Sequence, residues 1–385
     1  MKPLIHPRDY CAPATFAKEL EDIFFQRWIC AGVRSQLAEH QDYRCIEIGG
    51  VSVILQNFEG QIKAFNNVCS HRFARLQPGS AGNRELICPY HGWRYNQEGL
   101  PHIVPKRPTI SELSAATLCD YRLSRWHVRT FGPMIFIKKE HPAQELPADD
   151  LERQFAAYAP ALLALGEACG ELVENTEYRI KANWKVVVEN TLEGYHVDCV
   201  HPESIGKLGI AGLSPRGADT SSGAPAMGSA FTFAAENSAV FSPLDAELSA
   251  RMDRAYRFLA QRPQRLTGYR HYYCFPNFVS ASTRGESFSL QRILPIDEST
   301  TQLTSYFFAT NGLENLSKLE AAMKRQFYKS AGDFVRQIFS EDVGICEQVQ
   351  SSVGFAHGQG VLSDEEERIC AFHRAYQSAM VLAGS

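Results

Sequence analysis

Two cysteine–histidine pairs constrain this chain more than any other feature. Cys69-Ser-His71 and Cys88-Pro-Tyr-His91 stand sixteen residues apart, within a stretch of short β-type runs. Thiolate and imidazole are soft-to-borderline ligands. Four such donors fit zinc, or a two-iron, two-sulfur cluster with two cysteines on one iron and two histidines on the other. The Cys-x-His pair is tighter than the usual gap of a zinc pair, and each pair mixes one sulfur with one nitrogen.

The texture around the pairs is all-β. Residues 43–48, 51–57 and 61–66 are β-rich, separated by Gly49-Gly50 and Glu59-Gly60, which signal hairpins; the pattern runs on through 131–138. Before it, Phe16, Leu20, Ile23, Phe24 and Trp28 recur at helical spacing over 14–28. After it, a Pro- and acid-rich stretch at 141–150 reads as a linker. Residues 151–165 read as helix, 176–181 as strand and 184–196 as helix. Residues 205–228, rich in Gly, Ala, Ser and Pro, read as a loop. Long β-type runs at 269–282, 287–294 and 302–310 precede helical patterning over 316–349. A last helix opens at Ser363, with Glu366 three residues on as a capping box, and runs to about 382. This is α+β order with a mostly antiparallel sheet.

A second histidine pair, His196 and His201, lies five residues apart where the 184–196 helical run closes at Gly194. A helix winding out between them lets both imidazoles converge. Two histidines so placed are a candidate metal pair. Glu193 stands one helical turn before His196 and need not share the metal.

Cys69-x-His71 and Cys88-Pro-Tyr-His91-Gly-Trp93, with the Pro78-Gly79 turn between them, resemble the Rieske family. The near-continuous segment 183–202 resembles the catalytic domain of Rieske non-haem iron oxygenases. The resemblance implies an all-β Rieske [2Fe-2S] domain at 31–140 and a helix-grip (START-like) catalytic domain with an antiparallel sheet at 141–385. A helix within 1–30 would pack on the catalytic domain. It implies Cys69, His71, Cys88 and His91 as cluster ligands, and His196, His201 and a late acid as ligands of a mononuclear Fe(II). That acid is expected at Asp342, with Glu341 and Glu347 as alternatives. Glu193 is implied as an acid bridging a cluster histidine to an iron histidine, and Asn190 as a residue near the iron. Two positions depart from the family's pattern: Phe73, where glycine is usual, and Glu193, where many relatives carry Asp. Histidines in place of two thiolates make the cluster less negative and raise its potential.

By the same resemblance the chain is the terminal oxygenase of a multicomponent system. An NAD(P)H-dependent reductase, with or without a ferredoxin, would supply electrons for hydroxylating or demethylating a small aromatic or amine substrate with O₂. A homotrimer is expected, closing head to tail with Glu193 at the subunit junction. The chain is shorter than many dioxygenase large subunits, which favours monooxygenation. A Rieske-type electron-transfer or zinc-ribbon protein with a non-redox ligand-binding domain is the competing reading, and it has no need of His196, His201 and Asp342 together. Phe231, Phe233, Tyr273, Phe275, Phe278 and Phe288 are candidate pocket aromatics, with Asn277 and Arg292 as polar handles. An aromatic box suits a quaternary ammonium, an arginine a carboxylate.

Composition narrows the remainder. A formal net charge of −4 without a basic face argues against nucleic acid. No apolar run reaches the eighteen or so residues of a membrane helix. The opening MKPLIHPRDY does not read as a secretion signal, so the cytoplasm is expected. Nine of the eleven cysteines are scattered and read as small buried hydrophobes. No G-x-G-x-x-G appears on a βαβ pattern, so nicotinamide binding is expected on the reductase.

Overall fold

A computed structural model describes residues 2–106, 117–141, 145–205, 232–237, 250–262 and 269–382. The chain divides into two units, Phe24–Pro147 and a second that joins Met1–Ile23 to Ala148–Ser385. The expected loop at 205–228 falls almost wholly outside the described residues, as do 142–144 of the expected linker.

Helix α1 (Pro13–Glu19) begins with proline at its first position, where the missing N–H costs nothing. It passes into a wider π-type turn at Leu20–Phe24. The apolar spacing that reads as one helix to residue 28 is therefore helical only to Phe24, and Trp28 leads into a fully buried strand, β1 (Ile29–Val33).

In the Phe24–Pro147 unit, β2 (Asp42–Ile48), β3 (Val51–Phe58), β4 (Gln61–Asn66) and β5 (Ala81–Asn83) form an antiparallel sheet with β1. Two further strands, β6 (Arg94–Tyr95) and β7 (Pro101–Ile103), form a small separate ladder. Then β8 (Arg125–Phe131) and β9 (Met134–Lys139) complete the main sheet, in the order β1-β9-β8-β4-β3-β2-β5. Both expected hairpins form. Gly49 and Gly50 have φ of 55° and 83°, and Glu59 and Gly60 of 52° and 88°, as tight two-residue turns require. Ile54, Phe65, Leu76, Leu86, Trp93 and Leu123 pack one core around Cys69 and Cys88.

In the other unit the helix read over 151–165 is two, α2 (Asp150–Phe155) and α3 (Ala159–Ala168), broken at Ala156, whose φ is 51°. Strand β10 (Cys169–Ile180) leads to α4 (Trp184–Leu192) and the single turn α5 (Val197–Val200). Strands β11 (Thr232–Asn237), β12 (Tyr269–Cys274), β13 (Phe278–Thr283), β14 (Ser287–Asp297) and β15 (Thr300–Thr310) join β10 in an antiparallel sheet ordered β10-β15-β14-β13-β12-β11. The single run read at 269–282 is thus two strands, reversed at Phe275-Pro276-Asn277, where proline lacks the N–H that a ladder needs. The long α6 (Lys318–Val353) and α7 (Glu367–Leu382) follow. The Ser363 N–H donates to the Glu366 carboxylate at 2.6 Å, the back-reaching half of the expected capping box.

The two faces of this sheet have different coverings. Tyr273, Val279, Gln291 and Ser305 are register partners, and by the two-residue pleat His271, Ala281, Ser289 and Phe307 share their face. That face meets the long helices: Phe307 packs on Tyr328, Tyr178 on Phe339 and Tyr273 on Phe372. On the opposite face Tyr272 meets Tyr158, the residue before α3. Buried Glu19 fixes α1 to the helical layer, accepting from Lys185 Nζ at 2.5 Å, Trp184 Nε1 at 2.7 Å and the Tyr376 hydroxyl at 2.8 Å. No helix among the described residues is long and apolar enough to cross a membrane.

Candidate metal centres

The two Cys/His loops of the β-rich unit are built alike. Cys69 N–H donates to the Ala74 carbonyl at 2.9 Å, and Phe73 N–H returns to the Cys69 carbonyl at 2.9 Å. In the second loop Cys88 N–H donates to Trp93 O at 2.8 Å and Gly92 N–H returns to Cys88 O at 3.0 Å. The residue four after each cysteine has positive φ, 61° at Phe73 and 72° at Gly92. Glycine takes that conformation freely, whereas a phenylalanine there costs about 1–2 kcal/mol. The loop at Phe73 therefore keeps the shape of its glycine-bearing twin under local strain, with its ring 78% exposed.

Cys69 and Cys88 are buried, His91 is exposed, and the His71 and His91 rings lie 4.7 Å apart. His71 stacks on Trp93 at 4.8 Å, with its Nδ1 buried and without a hydrogen-bond partner. Burial lowers its pKa, and His91 and Arg72 lower it further, so the ring is neutral with a lone pair to give. No three of Cys69, His71, Cys88 and His91 bring donor atoms within 4.8 Å of one another, as a single ion would need. Two cysteines and two histidines, one of each from either loop, suit a sulfide-bridged pair of irons with one residue type on each iron. Tyr95, which sequence reasoning passed over, brings its hydroxyl to 3.1 Å from Cys69 Sγ and 2.9 Å from Ser70 Oγ. Its position four residues after His91 was the available signal.

In the other unit the Asn183 side chain caps α4 by accepting from Lys185 N–H at 3.0 Å. The helix stops at Leu192 and Glu193 is extended, earlier than the run to 196 expected from the sequence. His196 and His201 then flank the single turn α5, with ring centroids 5.2 Å apart. Asp342 on α6 completes the group, and the donor atoms of His196, His201 and Asp342 all lie within 4.8 Å of one another. Among the described residues no other group of three His, Cys, Asp or Glu does this.

Each imidazole is held from behind. His196 Nδ1 meets Glu193 Oε1, and His201 Nδ1 meets Glu341 Oε2 at 2.7 Å. Ser204 Oγ and Gln337 Nε2 donate to the two oxygens of Glu341 at 2.5 and 3.1 Å. A proton on each Nδ1 leaves each Nε2 as an acceptor, turned to Asp342 Oδ1 at 3.5 Å from His196 and 3.1 Å from His201. Asp342 Oδ1 is buried and has no hydrogen-bond partner. Three lone-pair atoms facing one point repel unless a cation lies between them. Without a metal, a proton takes that place: burial opposes a charged His196, but Asp342 and Glu193 outweigh it and push its pKa up to about 9. Asp342 moves the other way, with burial overcome by the two histidines. Such a donor set, each histidine backed by a carboxylate, fits a divalent iron.

Of the two alternatives to Asp342, Glu341 orients His201 and Glu347 accepts from Lys181 N–H at 3.0 Å. Asn190 lies on the last turn of α4 and its side chain makes no hydrogen bond among the described residues. Phe231 lies outside the described residues, and for Phe233 only the strand is described. Tyr273, Phe275, Phe278, Phe288, Asn277 and Arg292 are all buried. Tyr273 and Phe275 pack on Phe372 as core. Arg292 donates to Thr304 at 2.8 Å, on the sheet face turned away from the helices that carry the triad.

The ring hydroxylating alpha subunit (catalytic domain) family matches residues 170–381, and the Rieske [2Fe-2S] domain family matches 27–116. The glycine betaine monooxygenase oxygenase subunit of Pseudomonas aeruginosa is 31% identical over 207 residues, covering 52% of this chain and 45% of that protein. Chloroplastic choline monooxygenase of Spinacia oleracea is 29% identical over 204 residues, covering 50% and 44%. The carnitine monooxygenase oxygenase subunit of Acinetobacter baumannii is 32% identical over 210 residues, covering 50% and 51%. The chain thus spans about half the length of the curated relatives it matches. Among solved structures, the quaternary ammonium Rieske monooxygenase CntA with L-carnitine superposes with a TM-score of 0.68 at 20% identity, over 98% of this chain and 95% of that one. Naphthalene 1,2-dioxygenase with indole gives 0.68 at 23% identity, over 97% and 91%.

Proposed function

The chain belongs to the ring-hydroxylating alpha-subunit family of Rieske oxygenases, and from that premise we propose that it is the terminal oxygenase of a multicomponent system acting on a methylated amine. One observation carries the reading. Two histidines, each anchored at Nδ1 by its own carboxylate, turn Nε2 toward an unbonded oxygen of Asp342. A non-redox binding module has no use for that arrangement.

Members of this family carry a [2Fe-2S] cluster and a mononuclear iron. We assign the cluster to Cys69 and Cys88 on one iron and His71 and His91 on the other, and the mononuclear iron to His196, His201 and Asp342. When bound, the cluster supplies single electrons and the mononuclear iron supplies reactivity toward O₂. The protein's own residues hold and orient. Glu193 and Glu341 fix the tautomer and tilt of the two imidazoles. Burial of His201, 1% exposed, keeps water from competing around that donor. Burial of Cys69 and Cys88 shields the sulfurs, while exposed His91 offers an edge to an electron partner.

The substrate reading leans on the relatives' names, choline, glycine betaine and carnitine, which share a trimethylammonium group. We place residues 24–147 as the cluster domain and the remainder, including the first 23 residues, as the catalytic domain. The partners are an NAD(P)H-dependent reductase, with or without a ferredoxin, and two further copies of this chain in a head-to-tail ring. In that ring Glu193, beside the 62%-exposed Tyr195, meets a cluster histidine of the next copy. All eleven cysteines are free of disulfides, which suits a reducing cytoplasm.

Substrate-dependent O₂ uptake with a surrogate reductase tests the activity, across trimethylated amines and aromatic acids. Light scattering tests the ring, and an active monomer would remove the junction. Glu193→Ala is expected to cut turnover with both metal contents intact; loss of the mononuclear iron would instead make Glu193 a support of the triad alone.

A further inference from the structure

Arg368 is a buried cation without a counter-charge among the described residues. It sits in the first turn of α7, only 7% exposed. Its one side-chain hydrogen bond among the described residues runs from an Nη to Nδ1 of His271 at 2.6 Å, and its buried Nε has no partner there. No carboxylate among the described residues forms an ion pair with it. The acids of the neighbouring turn, Asp364, Glu365, Glu366 and Glu367, do not reach it, and the Glu366 carboxylate is taken by the Ser363 N–H.

Its two nearest ionisable neighbours cannot supply the missing charge. His271 is fully enclosed, and burial together with the guanidinium lowers its pKa well below the ordinary value. It is a neutral acceptor. Tyr269 is 37% exposed, and with desolvation of its hydroxyl pushing its pKa up to about 12 against the pull of Arg368 it stays protonated at neutral pH. A helix N-terminus adds positive potential of its own, which disfavours a cation there. An isolated buried cation costs several kcal/mol, and proteins retain one chiefly where an anion completes it.

The position is also informative. His271 projects from the sheet face that the long helices cover, the same layer that holds Asp342 on α6. Across β13 on that face lies Ser289, the register partner of Ala281, and two residues on lies Gln291. Ser289 Oγ and Gln291 Oε1 are buried without hydrogen-bond partners. The layer between sheet and helices thus holds one unpaired guanidinium nitrogen and two unused polar atoms. Arg292, the handle expected from the sequence, is on the other face.

We propose that Arg368, seated on His271, is the recognition group for a carboxylate on the substrate. This deepens the oxygenase reading and rests on it: the substrate is a carboxylate-bearing methylated amine of the betaine type, not an alcohol of the choline type. The planar guanidinium pairs with a carboxylate in a way that an ammonium does not. His271 Nδ1 fixes the plane of the fork.

The test is binding, measured by calorimetry on the metal-loaded protein under nitrogen, without reductant. The probes are glycine betaine, L-carnitine and benzoate, against choline and benzamide as counterparts without the carboxylate. Wild type is expected to bind at least one carboxylate probe about tenfold or more tightly than its counterpart. Arg368→Met is expected to erase that preference while keeping iron content and choline affinity. Its melting temperature should hold or rise, because an apolar chain replaces an unpaired buried charge. Three results would each overturn the assignment: no carboxylate preference in wild type, a preference that survives Arg368→Met, or a clear fall in melting temperature that marks an internal counter-charge. Because no electrons or O₂ enter the measurement, intact carboxylate binding without turnover would sink the oxygenase reading and spare the subsite. Turnover of choline without carboxylate preference would do the reverse.

Discussion

The two histidine-bearing sites solve opposite problems. In the β-rich unit the sulfurs are buried but His91 is exposed, and buried His71 Nδ1 has no hydrogen-bond partner. In the other unit both imidazoles are tied at Nδ1 by carboxylates, and His201 is almost fully enclosed. A relay must present an edge to a partner, and a neutral ring there suits a less negative cluster. A site for O₂ chemistry must hold a small cation at fixed geometry away from bulk water. The difference teaches that burial and anchoring of the imidazoles, more than the ligand types, divide the two tasks.

The sharpest way to break this contrast is to delete one ligand at a time. His201→Ala is expected to abolish turnover and empty the triad while visible absorption from the cluster persists. Cys88→Ala should do the converse, and metal analysis with visible spectra checks both. Next in size is the anchor beneath the enclosed site. Glu19→Gln leaves Lys185 buried beside a neutral partner, an expected loss of about 3–5 kcal/mol in the catalytic unit, read as a lowered thermal transition with cluster absorption retained. Glu341→Ala removes the support behind His201 and should weaken iron binding by about 10- to 100-fold, measured by competition with a chelator. The smallest effects belong to the exposed loops. Gly92→Ala should cost the β-rich unit about 1 kcal/mol at its positive φ. Phe73→Gly should change stability by less than about 1 kcal/mol, because relieved strain is offset by added chain entropy. If Phe73→Gly instead collapses the cluster, the two loops are not equivalent.

Much of this was legible in the sequence because metal ligands are chemically distinctive. The four cluster residues and the two histidines were marked by residue type and spacing, whereas Asp342 was expected only from the resemblance, with Glu341 and Glu347 as alternatives. The hairpins at Gly49-Gly50 and Glu59-Gly60 were legible for the same local reason. What was missed depends on tertiary contact. Glu341 was weighed as a ligand, and only the fold turns its carboxylate to His201 Nδ1. Nothing local marks Glu19 as the acid that meets Lys185, 166 residues away. Arg292 was named as a handle with the sheet residues after His201, yet the pleat sends it to the far face, and Arg368 was not weighed. The helix read to residue 28 ends at Phe24, because the apolar spacing continues to Trp28 across a turn that periodicity does not mark.

Iron, zinc and acid-labile sulfide should be counted in freshly purified, anaerobically reconstituted protein, side by side with His201→Ala. About three irons and about two sulfides per chain are expected, with zinc absent and one iron lost in the variant. Zinc held by the Cys69–His91 loops, or an iron content that His201→Ala leaves unchanged, would contradict the account.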